Sequence, residues 1–330
     1  MKELLIVLLN WNSNDKTLHC IQSLLQSSYS EFDIIVVDNA SKDGSREQIE
    51  LVYPDIQIIK NTYNAGFCHA NNQALQYGLI REYKYFLLLN NDLLVDKDLL
   101  HNLILQAKQK AKAGIVGGKI HFLENRNILN STGIEMNFYG YAWDRDFGIP
   151  VEKLSRKEGP CLAVSGACML IKRETLETIG FLDETFFAYF EDLEYCCRLQ
   201  KKTDFEVWYI DSAIAYHEFS ASTKKLPFLK YRLLNRNYWI NMSKTFPMRL
   251  LCKYTIPIIY TRLRYEAYHR LKTGSWLYFC TEIFYLLMFP YYFFRYSLKE
   301  SFQKNSYSYI RYLYRERTFH RHKEVQSETC

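Results

Sequence analysis

Four short apolar runs, each closed by asparagine or aspartate, constrain this chain more than anything else in it. Leu4–Leu9 runs into Asn10-Trp11-Asn12, Asp33–Val37 into Asp38-Asn39, Ile56–Ile59 into Asn61, and Tyr85–Leu89 into Asn90-Asn91-Asp92. A continuous apolar run without a period suits a strand buried on both faces. Between the runs, Leu18, Ile21, Leu24 and Leu25 recur at helical spacing, Ser45-Arg46-Glu47-Gln48 has the capping-box spacing, and Ala70–Leu79 reads as helix. Strand and helix in alternation predict an α/β fold with a mostly parallel central sheet whose strand ends share one rim. Ligands of open α/β sheets bind just beyond that rim. One Asn or Asp there is ordinary turn chemistry, with Asp92 or Asp96 as a helix cap. Four in succession favour a polar ligand.

With 330 residues and 48% hydrophobic content, the chain can form one large domain with an appendage, or two domains. A net charge of +6 does not by itself call for nucleic acid. The nine cysteines are scattered and contain no Cys-x-x-Cys pair, which argues against a disulfide framework or zinc site and for a reducing compartment. Leu4–Leu9 is too short for a signal peptide and lacks a small-residue cleavage site. Neither Gly-x-Gly-x-x-Gly after the first run nor a P-loop is present. A nucleotide would then be held by loop polar groups, with a metal on its diphosphate.

Further along, Gly114–Gly118 predicts a short strand, and Asn125–Gly159 a long excursion in which Trp143 packs on a sugar face or anchors the loop. Ala163–Ile171 resumes strand character, and Ser165-Gly166 either brings backbone close to a ligand or makes a tight bend. The aromatic stretch Phe186–Phe190 runs into Glu191-Asp192 at a helix start. Desolvation beside such a platform raises a carboxylate's basicity and suits Asp192 to general-base work on an alcohol; the alternative is a carboxylate stabilised by the helix dipole. Ala213–Tyr216 ends in His217, either a structural histidine or a ligand that ends a strand as Asp92 does.

Taken together, Asn10-Trp11-Asn12, Val37–Ser41, Asn64-Ala65-Gly66-Phe67 through Asn71-Asn72, Leu89–Asp92, Ser165-Gly166-Ala167 and Phe190-Glu191-Asp192 through Arg198 resemble family 2 glycosyltransferases. The likeness is strongest to the rhamnosyltransferase-like branch of bacterial surface polysaccharide synthesis, and it spans about Leu4 to Pro247. It implies a GT-A (nucleotide-diphospho-sugar transferase) fold and metal-dependent, inverting, non-processive transfer of a sugar such as rhamnose. The donor would be a dTDP- or UDP-sugar and the acceptor a saccharide, lipid-linked. The resemblance assigns nucleotide-sugar binding to Leu9, Asn10, Trp11, Asp38, Asn39, Asn64, Gly66, Asn71, Asn90 and Asn91. It assigns Mg2+ or Mn2+ to Asp92 and His217, the acceptor side to Ser165, Gly166, Phe190 and Trp143, and catalysis to Glu191 and Asp192, with Asp192 the base. Asn90 stands where the strict metal motif has its first aspartate. The absence of Gln-x-x-Arg-Trp disfavours a processive synthase. A sugar nucleotidyltransferase would carry a basic glycine-rich loop near the N-terminus, and a non-catalytic carbohydrate-binding or assembly protein would not need Asp92 and Asp192 together.

The expected division is a catalytic domain over 1–247, an aromatic and basic helical region over 248–313, and a charged, flexible tail over 314–330. Tyr231–Trp239 reads as a helix, and Arg262, Arg264, His269, Arg270 and Lys272 precede the largely apolar Trp276–Phe294, which Glu282 and Pro290 interrupt. Those interruptions favour an interfacial or re-entrant segment over a simple span, with helices packed on the catalytic domain as the alternative. The expectation is a cytoplasmic protein attached peripherally to the inner face of the cell membrane through anionic lipid.

Overall fold

The four apolar runs become four parallel strands in the computed structural model, which describes residues 2–218, 227–273, 276–297 and 308–313. They are β1 (Leu4–Asn10), β2 (Phe32–Asp38), β3 (Gln57–Lys60) and β4 (Tyr85–Asn90), joined by α1 (Lys16–Leu25), α2 (Ser45–Val52) and α3 (Gly66–Ile80). The reason for their continuous apolarity is visible in the packing. Leu5, Val7, Ile35, Val37, Phe86 and Leu88 enter the core on one face of the sheet, and Leu4, Ile6, Leu8, Ile34, Val36, Leu87 and Leu89 that on the other. Asn10 pairs with Asp38, and Leu9 with Asn90, so the polar ends lie level on one rim.

The remaining elements are β5 (Leu93–Val95), α4 (Leu99–Gln109), β6 (Ala113–Phe122), β7 (Leu129–Ser131), β8 (Ile134–Met136), β9 (Ala142–Asp144), β10 (Gly159–Cys161), β11 (Cys168–Lys172), α5 (Arg173–Ile179), α6 (Glu191–Lys202) and β12 (Glu206–His217). The sheet runs β10-β12-β6-β11-β4-β1-β2-β3, with β11 antiparallel to both neighbours and β12 parallel to β6. Two expectations change in extent. The strand expected at Gly114–Gly118 continues to Phe122, because β12 pairs with it as far as His217. The strand expected over Ala163–Ile171 begins only at Cys168 and runs on to Lys172. The amide of Cys168 turns back to the carbonyl of Ser165, and that of Gly166 goes to a side chain. Within the excursion, β7 pairs with β6, and β8 and β9 form a two-stranded hairpin.

Three helices follow, α7 (Pro227–Thr245), α8 (Met248–Thr273) and α9 (Trp276–Tyr292). Trp239 of α7 is buried, with its ring 4.8 Å from that of Phe289 on α9. Glu282 of α9 is fully buried and paired with Arg262 of α8, whose guanidinium also donates to Asn235 of α7. The glutamate that interrupts the apolar segment in sequence therefore faces inward. Trp276, Leu277, Phe284, Leu287, Tyr291 and Phe294 face out. By length and composition alone, Trp276–Tyr296 is long and apolar enough to cross a membrane, with a mean hydropathy of 1.3 and 17% of that stretch buried. The side chains of His269, Arg270 and Lys272, and the tail over 314–330, lie outside what the structure describes.

Candidate active site

Asp92 and His217 meet because of strand register. After the turn that ends β4, β5 runs antiparallel to the end of β12 with Leu93 opposite His217. That brings the His217 Nε2 to 3.1 Å from the Asp92 Oδ1. The other ring nitrogen, Nδ1, lies 3.1 Å from the Asn130 Oδ1 on β7, so the ring is held from both sides. Neighbouring Asn91 donates its amide to the Thr17 hydroxyl at 2.7 Å.

The second acidic pair opens α6. Phe187, Tyr189 and Phe190, just before it, have φ of 63°, 71° and 72°, a conformation costing roughly 1–3 kcal/mol for each such residue. The Asp192 carboxylate accepts from the amides of Gly166 at 2.9 Å and Leu193 at 2.8 Å. Burial nevertheless raises its pKa above the usual aspartate value, with the two amides opposing. Glu191 is 6% exposed, and its Oε2 has no hydrogen-bond partner. Burial and the Asp192 charge both push its pKa up. The two environments part the pair, leaving a proton on Glu191 and the charge on Asp192.

A cleft of about 440 Å³ joins the two sets. Leu9, Trp11, Asn90, Asn91, Asp92 and His217 line it together with Ser165, Gly166, Phe190, Glu191 and Asp192. Trp143 reaches the cleft from β9, and Lys230 and Leu234 from α7. The acidic loops that are distant along the chain thus open into one space. Sequence reasoning missed Asn130, Asp144 and Lys230. Asp144 also lines the cleft, and its pKa is pushed up to about 6, chiefly by burial; the Ser131 hydrogen bond opposes this and the Asp192 charge adds to it. Its only sequence signal is an acidic residue beside Trp143.

The other residues that the resemblance assigned to the nucleotide-sugar, Asn10, Asp38, Asn39, Asn64, Gly66 and Asn71, are not among those lining this cleft. Asn10 donates to Asp38, Ser41 and Ser45 and accepts from Ser13 and Thr17, so its side chain is saturated. Asp38 is fully buried on Asn10 and the Ser41 amide. Asn39 bonds Asn64 and the carbonyl of Gly66, and Asn71 bonds the carbonyl of Phe67. Gly66 has a φ of +85°, and a Cβ there would fall 2.5 Å from the Phe187 ring. These six hold loops in place. The Gly166 amide likewise approaches Asp192. A larger groove of about 760 Å³ lies at the other ends of β1–β3 and gathers no comparable set of acidic and imidazole groups.

Asp92 and His217 suit a divalent cation. Among the described residues no group of three His, Cys, Asp or Glu could hold a metal. One carboxylate and one imidazole, completed by diphosphate oxygens, match the way hard cations bind with phosphorylated substrates.

The profile of Glycosyl transferase family 2 matches residues 5–180. A low-salt glycan biosynthesis hexosyltransferase of Haloferax volcanii is 27% identical over 206 residues, covering 61% of this chain and 63% of that protein, so the match spans less than two thirds of the relative. An N-acetylglucosaminyl-diphospho-decaprenol L-rhamnosyltransferase of Mycobacterium tuberculosis is 24% identical over 225 residues, covering 63% of this chain and 73% of the relative. Among solved structures, a mannosyltransferase of Pyrobaculum calidifontis in complex with GDP-Man and Mn2+ superposes with a TM-score of 0.54 at 13% identity, covering 91% of this chain and 87% of that one. The fold is the expected GT-A arrangement, a mostly parallel sheet flanked by helices with further helices at the C-terminus.

Proposed function

The chain belongs to glycosyl transferase family 2, and from that premise we propose that it transfers a hexose from a nucleoside-diphospho sugar to a saccharide hydroxyl, inverting the anomeric centre. The observation that carries this reading is the shared cleft, which Asp92, His217 and Asp192 all line. In the proposed step the Asp192 carboxylate accepts the proton of the acceptor hydroxyl. The acceptor oxygen bonds the anomeric carbon from the face opposite the diphosphate, and the bond to the diphosphate oxygen breaks with its electrons. A divalent cation held by Asp92 and His217 would neutralise charge building on the departing diphosphate. Trp143, which also lines the cleft, would offer an aromatic face to a sugar ring.

The mycobacterial relative's name, with its rhamnose and its decaprenol-linked substrate, supports a rhamnose-type donor and a lipid-linked acceptor here. Attachment to the inner face of a membrane agrees with that, and the outward aromatic stripe of α9 supports it. The reading is tested by screening dTDP, UDP and GDP, each with Mn2+ or chelator, for thermal stabilisation. The matching nucleotide-sugars are then assayed for nucleoside diphosphate release. One nucleotide should stabilise in a cation-dependent way. Release that persists at full rate in excess chelator would remove the metal from the account.

A further inference from the structure

The segment leading into Glu191-Asp192 holds a shape that its residues do not favour. Phe187, Tyr189 and Phe190 all have positive φ, a region that bulky side chains rarely occupy. The amide of Ala188 closes a three-residue turn on the carbonyl of Phe186 at 2.7 Å. Two elements grip this segment. From α3, the amides of Phe67 and Cys68 donate to the carbonyl of Phe187 at 2.7 and 3.2 Å. From α7, the fully buried Asn237 directs a single Nδ2 at the carbonyls of Phe186, Ala188 and Tyr189, at 2.9, 2.7 and 2.8 Å. All four consecutive carbonyls from Phe186 to Tyr189 are therefore bonded.

We propose that Asn237 is a positioning residue for sugar transfer, an inference that rests on the reading of Asp192 as the base. By gathering three carbonyls on one amide it fixes the turn that delivers Asp192 to the Gly166 amide and the cleft. Asn237 does not line the cleft, so it acts only through the loop. Its chemistry is hard to replace. Buried carbonyls need donors, and the amide brings two hydrogens, whereas serine brings one, leucine none, and an aspartate of the same shape one at most.

The test uses the full chain with Asn237→Asp, which keeps the volume, and Asn237→Ala. Hydrogen exchange at the amides of Phe187 to Glu191 should quicken about tenfold or more while α1 and α4 keep their rates. Nucleoside diphosphate release should fall about 50-fold to 100-fold, with donor KM and stabilisation by nucleotide plus Mn2+ within about twofold of wild type. If both variants fail to fold, Asn237→Ser, which keeps one donor, replaces them and should give the same pattern with a smaller loss. Unchanged exchange with wild-type turnover in a folded variant overturns the proposal, as does a loss of nucleotide binding equal to the loss of turnover. Asp192→Asn is run in parallel. Wild-type turnover in that variant would defeat the base assignment, while the exchange rates would still decide for or against the clamp.

Discussion

Asp192 and Glu191 sit side by side on the first turn of α6, and their surroundings divide them. Two amides offset part of the desolvation of Asp192, while Glu191 has a bare oxygen in a dry place. Asp192→Asn should therefore lower turnover about 10³-fold with little change in nucleotide binding. Glu191→Gln should lower it by no more than about tenfold, as measured by nucleoside diphosphate release at saturating donor. The pair also sets a pH dependence of stability. Both pKa values are raised on folding, so the folded chain binds more protons than the unfolded one above the ordinary carboxylate range. The stability they contribute is complete at pH below that range and is lost as pH rises through the raised values. Melting temperature should fall from mildly acid toward neutral and alkaline pH, and Glu191→Gln should flatten that slope. A slope unchanged by Glu191→Gln would remove the protonated-glutamate assignment.

Helices α7, α8 and α9 are joined at one buried charge, and that junction is where the C-terminal elements are most easily broken. Glu282 and Arg262 are both buried, and the guanidinium also donates to Asn235. Glu282→Ala should cost about 3–5 kcal/mol in denaturant unfolding, because it leaves a buried cation unpaired. Replacing both, as Arg262→Met with Glu282→Leu, should recover most of that loss; a single-variant loss below about 1 kcal/mol would show that the pair is not buried in solution. The same element scale separates what the sequence reveals from what it hides. Strands β1 to β4 and their polar ends are legible, since a run such as Ile34–Val37 must feed two cores at once. Asp92 beside His217 is legible only as two strand ends, because their meeting depends on β5 turning back onto β12. Asn130 and Asp144 stay hidden, since the excursion carrying them has no long apolar period and its short strands β7 and β9 are fixed by pairing. Asn237 is hidden for another reason. Nothing in an aromatic stretch announces that Phe187, Tyr189 and Phe190 take positive φ, so nothing announces that a distant amide is needed to hold them there.

At the scale of the molecule, α7 ends at Thr245 and α8 begins at Met248, and the helices beyond that break are packed onto what precedes it. Trp239 lies against Phe289, and buried Tyr309 donates its hydroxyl to the carbonyl of Thr245 at the end of α7. Removing everything from Leu251 would thus uncover α7, the helix that carries Asn237, and would confound membrane release with damage to the site. Substitutions on the outer surface separate the two effects. On α9 and just after it, Trp276, Leu277, Phe284, Leu287 and Phe294 are each more than half exposed, and on α8 the exposed Ile256 and Tyr260 lie among exposed Arg249, Lys253 and Arg264. Apolar rings interleaved with cations match an anionic bilayer surface, where each basic side chain near the headgroups adds about 1 kcal/mol and the rings seat at the interface. The purified chain should co-sediment with phosphatidylglycerol vesicles more than with phosphatidylcholine vesicles, and added salt should weaken that binding. Phe284→Ser with Leu287→Ser should lower vesicle binding about tenfold or more, because each removes the transfer energy of an apolar side chain. Turnover on a soluble acceptor should be retained, since neither residue reaches the cleft. Equal binding to both vesicle types, unaffected by the double substitution, would mean that this surface is covered by something other than a membrane.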